Sequence, residues 1–140
     1  MLKIIILFIL LSYTIFAQNV GIIKSISGIV NIKRDNKIIT IQKGDKLNNK
    51  DIIITKANSS IGIIFDDGSR LSLGAKSIFK INKFIVKPDI NKFIVDMELK
   101  KGKALFNSGK IGKLSPQSVK FRVPEGVIGI RGTEFLVEVK

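Results

Sequence analysis

The 140-residue chain contains no cysteine, no histidine and no tryptophan. Without cysteine, a domain of this sequence has to fold without disulfide bonds. Without cysteine and histidine, the usual nucleophile–base pairs and zinc sites cannot be assembled. We therefore expect a protein that is not an enzyme and that has no catalytic residues, no metal site and no cofactor.

Two catalytic alternatives could use the side chains that remain. Ser25, Ser27 and Ser77 lie near lysines, but a serine–lysine dyad needs a Ser-x-x-Lys sequence on a helix, and none is predicted on one. Asp66 and Asp67 could form a carboxylate pair for glycoside hydrolysis. Adjacent residues at a strand end point to opposite faces, so a hairpin turn with exposed polar tips explains this pair better.

Long apolar runs are confined to the N-terminal segment, which has the pattern of a secretory signal peptide. Lys3 supplies a cation, residues 4–11 are all apolar, and Ala17 supplies the small residue before a cut. The stretch is shorter than the roughly 20 residues of a membrane-spanning helix. We expect a signal peptide at residues 1–17, export to the periplasm or secretion, and a mature domain at residues 18–140 without a membrane span. An uncleaved anchor is the alternative.

Acidic residues are few, 11 against 24 lysines and arginines, which gives a formal net charge of +13. Such a surface attracts polyanions. Export argues against nucleic acid, and the phenylalanines alternate with aliphatic residues as core residues do, instead of forming exposed stacking platforms. We expect an envelope protein or an anionic envelope polymer as the partner. Isoleucine, lysine and asparagine are all frequent, so a compositional origin of the charge is the alternative.

Helical periodicity is almost absent after the N-terminal segment. Apolar residues recur with period two or in short runs, and β-branched residues dominate, which favours strands. Turn signals follow one another at short intervals. The pattern predicts an all-β fold of about ten short strands, either β-solenoid-like or a two-sheet β-roll or sandwich, preceded by an N-terminal signal helix.

The strongest turn signal is Asp67-Gly68, because Asp-Gly between alternating apolar residues is typical of a hairpin. Asp35-Asn36 and Pro88-Asp89 predict two further turns. We also expect the chain to turn at Lys101-Gly102-Lys103. Residues 108–118, which are rich in glycine, serine and lysine, predict a loop.

Several short motifs follow one another over nearly the whole mature chain. In order, they are Gly21 to Val30 with Lys33-Arg34 after it, Gly44-Asp45-x-Leu47, Asp51-Ile52-Ile53-x-Thr55, Ile61 to Leu71, Leu99 to Gly102, and Val123 to Phe135. This succession resembles the FecR domain. Its most specific parts are the Asp-Gly-Ser and Arg-Gly-Thr elements, in that order and at that distance.

The resemblance implies an extracytoplasmic, β-rich domain. Regulatory FecR-like proteins are membrane-bound anti-sigma factors that relay a signal from an outer-membrane transporter, and they carry a cytoplasmic helical segment and a transmembrane helix before this domain. Here a predicted signal peptide stands in their place, so we expect a stand-alone exported FecR-like binding module. The alternatives are a component of iron-type signalling that acts with a separate anti-sigma or receptor protein, a structural envelope protein and, in a different class, a small Asp/Ser hydrolase.

The two most specific motif elements supply the candidate site. Its residues, which have either a binding role or a structural role in the motif, are Asp67, Gly68, Ser69, Arg131, Gly132 and Thr133. Both glycines are expected at backbone angles with positive φ, which other residues resist. Arg131 is expected to pair with Glu134, Glu138 or Asp67, or else to face a partner.

Overall fold

The structure, a computed structural model, describes residues 19–130 and 134–140. Twelve strands make up most of them. In chain order they are β1 (Asn19–Ser27), β2 (Val30–Arg34), β3 (Lys37–Thr40), β4 (Lys46–Asn48), β5 (Ile52–Thr55), β6 (Ser60–Phe65), β7 (Arg70–Leu73), β8 (Ile78–Lys87), β9 (Lys92–Asn107), β10 (Val119–Val123), β11 (Gly126–Ile128) and β12 (Glu134–Val139). One short helix, α1 (Lys110–Leu114), and 3₁₀ turns at Pro88–Ile90 and Pro116–Ser118 complete these residues.

The predicted all-β class is confirmed, and its physical basis is the alternation of side chains along each strand. In β6, Ile61, Ile63 and Phe65 are buried, whereas Gly62 and Ile64 between them are partly exposed. Because successive side chains point to opposite faces of a strand, one face of β6 lies on the core.

The strands form one curled sheet that is built around β9, which has 16 residues. β8 and β7 pair with successive stretches of β9, and on the opposite edge β10 and β12 do the same. The sheet then continues through β5, β2 and β3 beyond β8, and through β6, β1 and β4 beyond β7. All pairings are antiparallel except that of β10 with β9.

Because β9 belongs to both halves, the described strands make a single sheet instead of two separate layers. Neither of the two finer architectures, the solenoid and the two-sheet roll, is confirmed. The predicted signal helix lies at residues 1–17, outside the described residues.

Aromatic rings fill the concave side of the sheet. Phe65 stacks on Phe84 with ring centroids 4.5 Å apart. Phe121 meets Phe135 edge-on at 5.1 Å, and it also packs against Phe79. These rings lie among buried isoleucines, leucines and valines, so the phenylalanines pack the core, as their alternation predicts.

The three predicted hairpin turns are present. Asp35 and Asn36 both have positive φ, at 50° and 63°, and form the two-residue turn between β2 and β3. Such a turn matches the twist of the flanking strands. Asp67-Gly68 joins β6 to β7, and the 3₁₀ turn after Lys87 joins β8 to β9.

The predicted turn at Lys101-Gly102-Lys103 is wrong, because β9 continues through these residues without a break. Gly102 has a φ of +99°, and a Cβ atom on it would lie 2.5 Å from the Cα atom of Ser77. The glycine is therefore needed for a close approach between two backbones within the sheet, and it does not end a strand.

The predicted loop at residues 108–118 is also wrong in part, since it contains α1 and the second 3₁₀ turn. A helix of five residues is too short to show a periodic apolar pattern or to be stable alone, so its formation depends on tertiary contacts. Within the part of the chain that the structure describes, no helix is long and apolar enough to cross a bilayer.

The substitution Gly102→Ala is expected to lower the free energy of unfolding by about 3 kcal/mol, because it adds backbone strain and a collision with the Ser77 backbone. Two glycine-to-alanine controls separate these causes. Gly44 also has a positive φ, of +94°, but has open space around it, so we expect a loss of about 1 kcal/mol there. Gly126 has open space and no positive φ, so its replacement is expected to be nearly neutral. Chemical denaturation measures all three, and equal effects at Gly102 and Gly44 would contradict the close approach.

Candidate functional site

The Asp-Gly-Ser element forms the turn between β6 and β7, and its polar side chains point inward. Asp67 is 5% exposed and Ser69 is fully buried. The Asp67 Oδ1 atom accepts a hydrogen bond of 2.9 Å from the Ser69 backbone N–H, and Oδ2 accepts one of 2.8 Å from the Ser69 hydroxyl. The interpretation of this turn as a hairpin with exposed polar tips is therefore wrong for Asp67 and Ser69.

The same turn holds α1 in place. The Ile111 backbone N–H donates to the Asp67 Oδ2 atom at 3.0 Å, and the Lys110 N–H donates to the Asp67 carbonyl at 3.0 Å. The Gly109 N–H donates to the Ser69 Oγ atom at 2.8 Å. A Cβ atom on Gly109 would collide with the Asp67 carbonyl oxygen, so only glycine fits. We call Asp67, Ser69, Gly109 and the first turn of α1 the turn–helix clamp.

The neighbouring residues of the turn behave as the sequence predicts. Gly68 has a φ of +85°, in the left-handed region. Asp66 is exposed whereas Asp67 is buried, so the two carboxylates point to opposite faces and do not converge on one substrate. Although Asp66 is exposed, partial desolvation of its carboxylate first, and the charge of Asp67 second, raise its pKa.

Arg131, Gly132 and Thr133 lie outside the described residues, so the role of the second element stays a prediction. Two of the acids considered for Arg131, Glu134 and Glu138, project outward from β12 and are exposed. The third, Asp67, has both carboxylate oxygens engaged in the turn–helix clamp.

A second buried carboxylate, to which the sequence gives no role, lies at Asp51. The Arg34 Nε and Nη2 atoms donate to its two oxygens at 2.8 and 2.7 Å, and the Asn48 N–H donates to Oδ2 at 2.8 Å. The Asp51 side chain is 1% exposed, and its hydrogen bond is the main cause that raises the pKa of Arg34. Such a bidentate pair fixes the end of β2 against the start of β5.

A third polar cluster joins β5, β9 and the connection between β7 and β8. The Thr55 hydroxyl donates to the Gly74 carbonyl at 2.6 Å and accepts from the Ser77 N–H at 2.8 Å. The Ser77 hydroxyl donates to the same carbonyl at 2.9 Å and accepts from the Lys103 N–H at 3.1 Å. Ser77, considered above for a serine–lysine dyad, is thus buried and engaged with backbone groups.

These three clusters account for the buried polar residues of the motifs that the structure describes. Each buried polar side chain in them has hydrogen-bond partners, as burial requires, and accepts at least one bond from a residue far away in sequence. Among residues 19–130 and 134–140, no group of three or more acidic side chains is placed to hold a metal ion. The motif residues are therefore arranged to join turns and strands.

The convex face of the sheet carries a different set of residues. Ile32, Ile53, Phe79, Met97 and Phe121 are buried, so the side chains next to them in sequence point outward. Cross-strand pairing aligns these outward side chains in one row: Lys33, Ile52, Lys80, Glu98 and Arg122. In the adjacent row, Asp96 lies between Lys83 and Lys120. We call Lys33, Lys80, Lys83 and Lys120 the outer lysine cluster.

Arginine, and not lysine, neutralises the Asp96 carboxylate on this face. The Arg122 Nε and Nη2 atoms donate to it at 2.7 and 2.9 Å. The pKa of Asp96 is lowered, mainly by these hydrogen bonds and less by one from Asn82, while partial burial acts in the opposite direction. Between described residues, the only ion pairs are Arg122–Asp96 and Arg34–Asp51. The lysine ammonium groups of this face therefore have no ion-pair partner among those residues.

Comparisons with known proteins bear on the family. The sequence model of a family described as FecR protein matches residues 51–140. No curated protein matches the chain. A solved structure, titled a cell surface anchoring domain, is 24% identical in sequence with a TM-score of 0.42, and the alignment covers 44% of this chain and 82% of the other.

The substitution Asp67→Asn is expected to lower the free energy of unfolding by about 2 kcal/mol, because in either orientation its NH₂ group would face a buried backbone N–H. Asp66→Asn, on the exposed side of the same turn, is the matched control and is expected to change stability by less than about 0.5 kcal/mol. Urea denaturation measures both. Equal effects at the two positions would show that the turn–helix clamp does not contribute to stability.

The Arg122–Asp96 pair predicts a pH dependence of stability. Because the pKa of Asp96 is lower in the folded state than the ordinary value of about 3.9, the pair stabilises the fold above that value. This contribution is lost as the pH falls through the folded-state pKa. The stability difference between the wild type and Asp96→Asn should therefore be largest at about pH 6 and shrink towards about pH 3. A difference that stays constant over this range would contradict the assignment.

Proposed function

Because this chain belongs to the FecR family, we propose that it is a non-catalytic, extracytoplasmic binding module that engages an anionic polymer of the cell envelope through the outer lysine cluster. The motif residues support the first part of this proposal. The carboxylates and hydroxyls of the buried ones, Asp51, Thr55, Asp67 and Ser69, are engaged in hydrogen bonds that hold the fold, and not in contacts with a second catalytic group. The predicted signal peptide supports the extracytoplasmic location.

The observation that carries the choice of partner is the absence of lysine ion pairs on the convex face, between the residues that the structure describes. Lys33 and Lys80 are separated by one strand, and neighbouring strands lie about 4.8 Å apart, so these cations stand about 10 Å apart along the row. Lys83 and Lys120 flank Asp96 in the next row. An extended polymer with regularly spaced anionic groups fits such an arrangement better than a single small anion does.

The two acids of this face, Asp96 and Glu98, reduce its positive charge in different ways. Asp96 is neutralised by Arg122 through two charge-assisted hydrogen bonds. Glu98 lies between Lys80 and Arg122 and lowers the local positive charge. The excess charge therefore comes from the four lysines, and the test replaces three of them, one on each of β2, β8 and β10.

Linear polyphosphate serves as the probe for polymer binding. The triple variant Lys33→Gln, Lys80→Gln and Lys120→Gln is expected to bind it roughly tenfold more weakly, because each exposed ionic contact contributes about 0.5 kcal/mol. The control removes the same charge from exposed lysines elsewhere, through Lys43→Gln, Lys87→Gln and Lys113→Gln. Isothermal titration at two salt concentrations measures both, and affinity for the wild type should fall as salt rises.

Equal weakening in the two triple variants would show that net charge, and not the outer lysine cluster, drives binding. Affinity that is independent of salt would contradict an anionic partner altogether. If the wild-type protein does not bind polyphosphate but binds an acidic envelope protein, the partner is a protein and the polymer proposal is wrong.

A further inference from the structure

The sheet has four edge strands among the described residues, and β12 differs from the other three. β3 has four residues, and β4 and β11 have three each, whereas β12 has six. Short edge strands are one of the ways in which proteins avoid pairing with other chains, and proline or charged side chains, lysine above all, are another. β12 is longer and has neither lysine nor proline, and its only charges are those of Glu134 and Glu138.

One edge of β12 pairs with residues 102–107 of β9, and among the described residues no strand pairs with the other edge. A cleft of about 650 Å³ lies beside the C-terminal half of the strand. Its lining includes Val137 and Val139 of β12 and, across the gap, Val123 and Ile128. The open edge therefore faces accessible space with an apolar lining.

The side chains of β12 are incompletely covered on both faces. Phe135, Val137 and Val139 point to the core but remain partly exposed. On the outer face Leu136 is 70% exposed and lies opposite Leu105, which is 36% exposed. A further strand on this edge would cover both sets, as in strand addition to a sheet.

We propose that the open edge of β12 pairs antiparallel with β12 of a second copy of this chain. Facing residues of two antiparallel strands point to the same side of a sheet, so a continuous sheet requires odd-numbered residues opposite odd-numbered ones. The register centred on Val137 places Phe135 opposite Val139, Leu136 opposite Glu138 and Glu134 opposite Lys140. It thus joins apolar residues on the core side and opposite charges at both ends.

The neighbouring registers are less favourable. Centring the pair on Leu136 would place Glu134 opposite Glu138, and centring it on Glu138 would place that carboxylate against itself. Like charges directly opposite each other destabilise a pair of strands. In the Val137 register, Phe135 of the second copy also comes beside Val139, at the apolar cleft. Self-complementarity of charge and shape is what a twofold symmetric interface requires.

This interface involves a different surface from the outer lysine cluster, and the proposal does not depend on polymer binding. Both copies are strongly positive, so long-range repulsion opposes association. Salt near about 0.15 M limits that repulsion to about 8 Å, while contact pairs across the strands persist. Self-association of the purified chain is therefore measured at this ionic strength.

Sedimentation equilibrium of the purified chain should show a reversible monomer–dimer equilibrium. Glu134→Lys places a lysine opposite Lys140 twice in each dimer, and is expected to raise the dissociation constant roughly tenfold. Lys140→Glu should do the same, and the double variant should restore the wild-type value. Asp89→Lys, an equal change of charge at an exposed position remote from β12, is the control and should have little effect.

Several results would overturn the proposal. One is a chain that stays monomeric up to its solubility limit. A monomer whose β12 edge pairs with a different protein would overturn it as well. A dimer that responds equally to Glu134→Lys and Asp89→Lys would exclude this interface. A dimer that the double variant fails to restore would exclude this register. Far-ultraviolet circular dichroism of each variant verifies that the fold is intact.

Discussion

The curled sheet depends on β9 remaining one continuous strand, because both halves of the sheet pair with it. β9 has neighbours on both edges along most of its length, so a break in it would separate the two halves. Gly102 allows this continuity, because it adopts a positive φ and its missing side chain admits the backbone of Ser77. The hydrogen bonds of Ser77 and Thr55 then hold the crowded backbone groups at this point.

The other buried polar motif residues provide hydrogen-bond partners for buried groups at other turns. Curling brings backbone groups from distant segments into the interior, and each needs a hydrogen-bond partner there. Asp51 supplies oxygens for the end of β2 and the turn before β5, and Asp67 supplies them for its own turn and for α1. The buried motif residues of this chain thus hold its fold in the described part, and we propose that the partner is recognised elsewhere.

Local signals explain which parts of the fold could be predicted from the sequence. The hairpin at Asp67-Gly68 and the turn at Asp35-Asn36 depend on backbone preferences of adjacent residues, and the strands depend on alternation. The continuity of β9 at Gly102 could not be predicted, because a glycine at a turn and a glycine at a close approach look alike in sequence. The inward orientation of Asp67 depends on Ile111, 44 residues away, which no local pattern encodes.

The positive charge of the surface could be predicted from the sequence, but the positions of the lysines on it could not. The excess of positive charge is evident from composition, yet only the pairing of β2, β5, β8, β9 and β10 brings Lys33, Lys80 and Lys120 to one face. The open edge of β12 is likewise a property of topology. The sequence shows an alternating strand there, and only the order of strands in the sheet shows that nothing described pairs with its outer side.

The central claim is that the buried polar residues of the motifs hold the fold, whereas surface lysines bind the partner. The most direct test is titration of linear polyphosphate into Asp67→Asn and Ser69→Ala, at a temperature at which circular dichroism shows both variants to be folded. We predict wild-type affinity in both, despite their lower resistance to denaturation. A folded variant that has lost its affinity would contradict the claim, because the Asp-Gly-Ser element would then belong to the binding site.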